Sequence, residues 1–259
     1  MSSGINAIVR PPGNSFVGAL SNHPERGSID PELAQRQHAE FRLALTSLGV
    51  QLIEIPVSEE LPDACFTADT AVVLQGVGHA LMARMGALSR RDEVAAIERV
   101  LSDRVEGIEQ MEAPATLEGG DVLNFGTRLI VGRSERTNPK GMQRLIEFAA
   151  ARGISVEGVD VPEGTLHLGT VASSLGAGAA LGLKKILDGS AFADLDHVIV
   201  PEEEAVAGNV VVIGDQVIAA SGYSATRRLL EDRGFTVHEV DLSEFAKADG
   251  GPSCLTLFV

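Results

Sequence analysis

Residues 122–162 read VLNFGTRLIVGRSERTNPKGMQRLIEFAAARGISVEGVDVP and contain one complete order of secondary-structure elements. Two short apolar runs, 122–125 and 128–131, predict strands, and residues 138–152 carry apolar side chains at helical spacing. A glycine ends this helix, and a further β-like run follows at 155–162. The stretch therefore predicts a unit of strand, strand, helix and strand.

The same order of elements occurs about five times along the chain. A repeat of about 40–58 residues lies in the range that is typical of internal repetition. The units share this pattern and not their sequence, so the pattern alone fits an open α/β domain as well as a closed ring of units. The predicted helices are 31–48, 89–103, 138–152, a stretch around 183–195, and 224–233. The β-like runs that follow them are 51–56, 108–114, 155–162, 197–201 and 236–242.

The position of the polar loops favours the closed arrangement. In each unit the last strand is followed by a loop that carries a residue suited to chemistry. If five units surround one axis, these loops meet at one end of the ring. The residues concerned are Asp63, Glu118, His167, Asn209 and Cys254.

Composition limits the partners of the chain. It has 259 residues, 44% of them hydrophobic, and a net charge of −15 at pH 7. Such a charge repels phosphate backbones and anionic lipid, so neither nucleic acid nor a membrane surface is an expected partner, whereas a cationic small molecule is. The two cysteines, Cys65 and Cys254, do not form a disulfide framework and fit a reducing, cytoplasmic compartment. No leader segment and no apolar run of about 18 residues is visible.

Cys254 is the strongest candidate for a nucleophile. It follows a tight turn of glycines and a proline rather than an apolar pattern, and a lone cysteine with a distant histidine fits nucleophilic catalysis. Cys65 lies between Ala64 and Phe66 and is predicted to be a packing residue. His167 lies between leucines, so a buried ring and a catalytic ring both remain open. The chain has no Cys-x-x-Cys and no His-Glu-x-x-His, and we expect neither a metal nor a cofactor.

Taken in order, five motifs resemble the dimethylarginine dimethylaminohydrolases. These are guanidine-modifying enzymes with the pentein fold, a five-bladed α/β propeller of ββαβ units around a pseudo-fivefold axis. The resemblance runs along essentially the whole chain and implies a single guanidine-modifying domain over 1–259. The motifs are Pro62-Asp63 with Phe66 and Asp69, Leu117-Glu118-Gly119-Gly120-Asp121, Arg136-Thr137-Asn138, Leu166-His167-Leu168, and Gly250-Gly251-Pro252-Ser253-Cys254.

The resemblance implies a role for each matching position. Cys254 would be the nucleophile, with His167 as general acid and base. Glu118 and Asp69 would hold the guanidinium of the substrate. Arg84 and Arg136 would bind its carboxylate, and Leu20 and Asp63 would contact its amino-acid end.

Three positions depart from the pattern of the family. Where the family usually has Phe-x-Glu-Asp, this chain has Ala68 before Asp69. Its histidine is usually followed by Leu-Lys, and here Gly169 takes the place of the lysine. After Arg84 the chain has Met85 where a proline is typical. Because the reacting end is intact and its surroundings differ, the departures affect the substrate more than the reaction.

The resemblance implies hydrolysis of N-methylated arginine to citrulline and methylamine or dimethylamine. The missing glutamate at Ala68 keeps a second hypothesis open, in which the same chemistry acts on another guanidine, such as arginine or a shorter guanidino acid. A third hypothesis is a propeller that binds a partner without catalysis, against which the retained Cys254, His167 and Glu118 argue. The sequence does not decide the oligomeric state and leaves a homodimer open.

Overall fold

The computed structural model describes residues 4–176 and 178–259 and contains fifteen short strands in this part of the chain. In chain order they are β1 (Asn6–Val9), β2 (Gln51–Glu54), β3 (Ala71–Leu74), β4 (His79–Met82), β5 (Gly107–Gln110), β6 (Val122–Asn124), β7 (Arg128–Arg133), β8 (Ser155–Asp160), β9 (Ala172–Ser174), β10 (Ala179–Leu183), β11 (Asp196–Val200), β12 (Val210–Ile213), β13 (Gln216–Ala220), β14 (Thr236–Val240) and β15 (Leu257–Phe258).

Six α-helices connect these strands in the described ranges. They are α1 (Pro31–Ser47), α2 (Val94–Leu101), α3 (Pro139–Ala150), α4 (Lys184–Leu187), α5 (Ser224–Glu231) and α6 (Ser243–Ala246). None of the helices in the described ranges is long and apolar enough to cross a membrane.

The strands form five sheets of three strands each. In every sheet the middle strand pairs parallel with one neighbour and antiparallel with the other. The sheet orders are β15-β1-β2, β3-β4-β5, β6-β7-β8, β9-β10-β11 and β12-β13-β14. The predicted fivefold repetition of strand, strand, helix and strand is therefore confirmed.

The last strand of the chain completes the first sheet. β15 pairs antiparallel with β1, with Ala7 opposite Phe258 and Ile8 opposite Leu257. The sequence predicts a longer final strand at 255–259, but a 3-10 turn at Pro252–Leu255 occupies its beginning. This pairing joins the first and last parts of the chain in one sheet and closes the ring.

The helix ends follow the capping chemistry in the sequence. The carboxylate of Asp30 accepts hydrogen bonds from the amides of Glu32 and Leu33 at the start of α1, and Pro31 needs no partner for its nitrogen. Asn138 caps α3 in the same way through the amide of Gly141. The predicted helices 31–48 and 138–152 are thus confirmed to within two residues.

Two other helix predictions need correction. The stretch 89–103 begins as a 3-10 helix at Leu88–Glu93 and is α-helical only in α2. The stretch around 183–195 holds just the four residues of α4, because Gly189 interrupts it and a 3-10 turn follows at Ser190–Phe192. Glycine is unfavourable inside a helix by about 1 kcal/mol relative to alanine, which is enough to end so short a segment.

One edge strand of each sheet lies on the inside of the ring. These inner strands are β3, β6, β9, β12 and β15, and residues from all five line one common space. Each inner strand is preceded by a short 3-10 turn. The five turns place their side chains at the same end of the ring, and this end holds the candidate site.

Candidate active site

Each of the five turns contributes a residue that suits chemistry. Asp69 lies within Thr67–Thr70, Glu118 immediately before Gly119–Asp121, His167 immediately before Leu168–Thr170, Asn209 immediately after Glu202–Gly208, and Cys254 within Pro252–Leu255. The structure thus brings the predicted loop residues together, with Asp69 rather than Asp63 as the member from the 3-10 turn of the second sheet.

Most of the predicted residues line one cavity, which we call the carboxylate cavity. Its lining includes six of the eight residues singled out from the sequence: Leu20, Asp63, Asp69, Arg136, His167 and Cys254. Glu118 is fully buried behind His167 and holds its ring. Arg84 is not part of this lining, and its Nη1 donates to the carbonyl of Ala115 at 3.2 Å.

His167 and Glu118 form a buried pair. Nε2 of the imidazole lies 2.8 Å from Oε2 of Glu118, and Nδ1 lies 3.8 Å from Oδ1 of Asp69. Burial lowers the pKa of His167, but the charges of Asp69 and Glu118 outweigh burial, and the net shift of the pKa is upward. The two carboxylates therefore favour the imidazolium form of His167, which is the form that donates a proton.

Glu118 is held in its charged form by three neighbours. Burial alone would raise its pKa, but the hydrogen bond and charge of His167, followed by Arg90 and Arg136, lower the pKa to about 2. Its second oxygen accepts from the backbone amide of Gly86 at 2.8 Å and lies 3.4 Å from Nη1 of Arg136. With this pKa the carboxylate is anionic at neutral pH.

Asp69 presents one paired and one unpaired oxygen. Oδ2 accepts from Nη1 of Arg90 at 2.8 Å. Oδ1 is buried and has no hydrogen-bond partner within residues 4–176 and 178–259. Because Asp69 also lines the carboxylate cavity, this oxygen is a free acceptor beside the space that a ligand would fill.

Arg90 balances the charge of the acidic residues and also lines the carboxylate cavity. It is 3% exposed, forms a forked pair with Glu93, and lies 3.8 Å from Glu118 in addition to its contact with Asp69. Burial lowers the pKa of Arg90, and Asp69 and Glu93 raise it, with a net upward shift. Glu93 keeps a pKa raised to about 7, chiefly by burial. The permanent charge of the guanidinium permits several carboxylates to lie together in this space.

Cys254 is a partly buried thiol fixed by Asn209. Nδ2 of Asn209 lies 3.3 Å from Sγ and also donates to the carbonyl of Gly169, while its Oδ1 accepts from the amide of Ser253. Burial and then the charge of Asp69 raise the pKa of Cys254 to about 11. The thiol is therefore protonated in the unliganded protein, as the acidic surroundings predict. The other cysteine, Cys65, is 2% exposed within an apolar cluster, in agreement with its predicted packing role.

The remaining predicted contacts lie at the rim of the cavity. The amide of Leu20 donates to Oδ1 of Asp63 at 3.0 Å, and Leu20 itself is 38% exposed. Asp63 is buried, and burial raises its pKa. Arg136 lies across the cavity with its guanidinium on Glu118. This rim thus offers a carboxyl group, from Asp63, for the ammonium end of an amino acid and a guanidinium, from Arg136, for its carboxylate.

The two glycines between Glu118 and Asp121 permit a close approach within the protein. A Cβ at Gly120 would collide with Oδ1 of Asp69 and lie 2.8 Å from Nδ1 of His167. A Cβ at Gly119 would collide with the carbonyl of Ala68. Because these glycines carry no side chain, the carboxylate of Asp69 and the imidazole of His167 lie close together.

Three important residues were not included in the predicted site. The sequence marks Asn209 as a loop residue, Arg90 as one of an Arg-Arg pair on a predicted helix, and Asp121 as a residue of either a solvated turn or a close approach to a ligand. Asp121 accepts from Ser134, Thr137 and the amide of Leu168, and so fixes the turn that carries the histidine. In the sequence each of these residues is only a polar side chain. The burial that makes it significant is visible in the fold alone.

A metal ion is a poor match for this cluster. Asp69, Glu118 and His167 offer ligand atoms within 4.8 Å of one another. However, Arg90 already supplies a positive charge at 2.8 Å from Asp69, where a metal ion would otherwise balance the carboxylates. The donor set is that of an acid–base cluster with its own internal cation.

Comparison with known proteins identifies the family. A sequence model described as "N,N dimethylarginine dimethylhydrolase, eukaryotic" matches residues 19–256. The N(G),N(G)-dimethylarginine dimethylaminohydrolase of Pseudomonas aeruginosa is 34% identical over 252 residues, covering 96% of this chain and 97% of the relative. The chain belongs to the dimethylarginine dimethylaminohydrolase family. The family member of Streptomyces coelicolor, with the same name, is 33% identical over 97% of this chain and 95% of its own length.

Solved structures of the family agree with this fold. A cysteine-to-serine variant of the Pseudomonas aeruginosa dimethylarginine dimethylaminohydrolase, complexed with citrulline, matches with a TM-score of 0.93 and 32% identity over 98% of both chains. A histidine-to-glycine variant with an S-methyl-L-thiocitrulline adduct has the same TM-score, over 98% of this chain and 99% of that chain. The N-terminal domain of a cyanobacterial arginine dihydrolase, 22% identical, shares the fold with a TM-score of 0.87, over 98% of both chains. The predicted pentein propeller is confirmed.

Proposed function

We propose that this protein hydrolyses N-methylated arginine to citrulline and methylamine or dimethylamine, with Cys254 as the nucleophile and His167 as general acid and base. The observation that carries the proposal is the meeting of this thiol, this imidazole and the unpaired oxygen of Asp69 in one cavity. The names of the relatives and the citrulline complex of one of them support the same reaction.

The carboxylates select and orient the guanidinium. Oδ1 of Asp69 accepts one N–H of the substrate, and Glu118 contributes the second negative charge from beneath His167. A guanidinium anchored at Oδ1 of Asp69 presents one face of its carbon to the sulfur. Arg136, and Arg84 after release from Ala115, bind the substrate carboxylate, while Asp63 and Leu20 receive its ammonium end.

The first half of the reaction forms a covalent intermediate. As the cation binds beside Asp69, the thiol of Cys254 releases its proton to solvent, and the thiolate adds to the guanidinium carbon. The imidazolium of His167 then gives its proton to the substituted nitrogen, the C–N bond breaks, and a neutral amine leaves. An S-linked thiouronium cation remains on Cys254.

The second half uses the same two residues. His167, now neutral, takes a proton from water as the oxygen bonds to the thiouronium carbon. The C–S bond breaks, the remaining O–H proton passes to the departing sulfur and restores the thiol of Cys254, and the neutral urea group of citrulline forms. The proton that Cys254 gave to solvent at the start charges the amine, so a cation and water become a neutral urea and an alkylammonium ion.

The substrate could also be a different guanidine. Ala68 stands where the family usually has glutamate, so one acidic group is missing near the guanidine end. The same chemistry on arginine or on a shorter guanidino acid is therefore the second candidate.

Three broader assignments accompany the proposal. Residues 1–259 act as one domain, which the closure of the ring by β15 on β1 supports. The cytoplasm is the proposed location, which the two free cysteines support. A homodimer is the proposed alternative to a monomer, and light scattering measures which of the two is present.

A panel of guanidines tests the function. The purified protein is incubated with dimethylarginine, monomethylarginine, arginine and shorter guanidino acids, and both citrulline and the released amine are measured. The proposal expects turnover of a methylated arginine that Cys254→Ser abolishes without loss of folding. Turnover of arginine alone would support the second candidate. No turnover of any guanidine in the panel, or activity in the Cys254→Ser variant, would contradict the mechanism.

A further inference from the structure

The thiol and the imidazole border a second space besides the carboxylate cavity. The five inner strands surround a channel of about 810 Å³, which we call the central channel. His167 and Cys254 lie at one end of it, and they also line the carboxylate cavity. The other end is formed by hairpin turns that include Gly76, Thr127 and Gly214, which are exposed to solvent. The reacting pair therefore stands between two spaces.

The two spaces differ in charge. The carboxylate cavity is lined by acidic and basic side chains, as described above. In the described part of the central channel the charged side chains are His167 and Arg152. Arg152 is paired with Glu109 and packs on the ring of Phe148 at 4.2 Å, so its charge is already balanced. The rest of the lining is apolar, glycine, or neutral and polar.

Two of the sequence departures lie in this lining. Ala68 and Gly169 both border the central channel close to the reacting pair. The family usually has a glutamate and a lysine at these positions, and this chain has replaced both by the smallest residues. Ala68 and Gly169 therefore add no charged side chain to this end of the channel.

We propose that the central channel is a second passage to Cys254 and His167, through which water reaches the covalent intermediate. This inference rests on the proposed function. While the amino-acid part of the substrate fills the carboxylate cavity, that side is closed to solvent. An unpaired charge entering a channel without countercharges loses hydration that nothing replaces, whereas neutral water and small neutral molecules enter at little cost. The water oxygen then adds to the thiouronium carbon, and His167 takes its proton.

The passage is tested by modification of the thiol. Methyl methanethiolsulfonate is small and neutral, and it converts the Cys254 thiolate into a methyl disulfide with release of methanesulfinate. The rate at Cys254 is followed by peptide mass spectrometry, with and without saturating citrulline, and is compared with that of a cationic trimethylammonium-ethyl analogue. Citrulline should stop the cationic reagent, and the neutral reagent should retain a substantial rate.

A bulky side chain in the channel provides the decisive comparison. Val212, half-buried on β12, lines the channel and not the carboxylate cavity, and Val206, which is 47% exposed and lines neither space, offers the same substitution elsewhere. Val212→Phe should lower the citrulline-resistant rate by about tenfold or more, and Val206→Phe should not change it. Ala68→Met provides a second block if Val212→Phe does not fold. During turnover, the blocked variants should accumulate the covalent adduct on Cys254.

The outcomes distinguish failure of the proposed passage from failure of the proposed function. Complete protection by citrulline against the neutral reagent, or equal rates in Val212→Phe and Val206→Phe, would overturn the passage. If calorimetry finds no binding of citrulline, the rates are compared without it, and equal rates in the two variants again overturn the passage. A protein that turns over no guanidine but shows the difference between the variants keeps the passage and loses the proposed function.

Discussion

The side-chain amide of Asn209 lies behind the thiol of Cys254, with Nδ2 3.3 Å from Sγ and Oδ1 2.8 Å from the amide of Ser253. One buried side chain therefore holds both the backbone of the turn and the sulfur. A donor directed at the sulfur stabilises a thiolate more than a thiol, because a hydrogen bond to a charged acceptor is the stronger one. In the proposed reaction Asn209 is a positioning residue for the nucleophile.

Asn209→Asp isolates this hydrogen bond. The substitution keeps the oxygen that accepts from Ser253, removes the donor to Cys254 and to the carbonyl of Gly169, and adds a negative charge. Because hydrogen bonds to charged groups contribute about 1.5–3 kcal/mol, we expect kcat to fall by roughly 10- to 100-fold. The pH profile of Cys254 alkylation should also move to higher pH. Asn209→Ser, which is smaller, controls for packing, and an unshifted profile in Asn209→Asp would contradict the positioning role.

The raised pKa of Cys254 predicts slow alkylation in the free protein. With a pKa of about 11, only about one thiol in ten thousand is ionised at pH 7, and the thiolate is the reactive form. The rate of reaction with iodoacetamide should therefore increase about tenfold per pH unit from neutrality upward. A bound guanidinium offsets the charge of Asp69, so methylguanidine should lower the apparent pKa and increase the rate at pH 7.

The same experiment has a direct control. Cys254→Ser leaves only Cys65, whose pKa burial raises well above its ordinary value, so that variant should be almost inert. Fast alkylation of Cys254 at pH 7 without any ligand would mean that the thiolate is present at rest, and the proposed role of the bound cation would then be wrong.

Arg90 is expected to be essential for stability. Arg90→Met leaves Asp69 and Glu93 buried without their cation, and breaking a buried ion pair in this way costs about 3–5 kcal/mol. The free energy of unfolding, measured by urea titration, should decrease by this amount. Arg90→Lys keeps the charge without the forked geometry and should lose less.

A second substitution tests whether charge is the cause. Glu93→Gln in the Arg90→Met background removes one of the two abandoned carboxylates, so it should restore part of the lost stability. If Glu93→Gln destabilises both backgrounds equally, the two residues are not coupled, and the explanation by charge balance fails.

The sequence predicts this architecture better than it predicts the electrostatics. Periodicity and capping located α1 and α3, and the polar turn before Cys254 indicated its reactivity. The partner of the final strand was not predictable, because β15 pairs with β1 from the other end of the chain and no local signal records that pairing. Arg90 was missed for a related reason, since its function depends on acids 3 and 21 positions away that only folding brings together.

His38 provides a prediction outside the site. It is fully buried on α1 beside Phe41 and Phe245, and neither ring nitrogen has a hydrogen-bond partner in the described ranges. Burial, with a smaller contribution from Arg42, lowers its pKa from 6.5 to about 3. Between these two values the unfolded chain binds a proton at this residue and the folded chain does not. Its contribution to stability is therefore present above pH 6.5 and is lost as the pH falls.

The size of this effect follows from the two pKa values. At pH 5 the uptake of a proton by unfolded His38 should lower the free energy of unfolding by about 2 kcal/mol relative to pH 7. His38→Phe fills the same aromatic cluster without a titratable group, so its difference in stability between pH 7 and pH 5, from urea titrations, should be smaller by that amount. His38→Gln, polar but not titratable, should show the same reduction even if its stability at pH 7 is lower. If both variants keep the full acid sensitivity of the parent, His38 titrates alike in the folded and unfolded chains, and other groups must cause the loss of stability in acid.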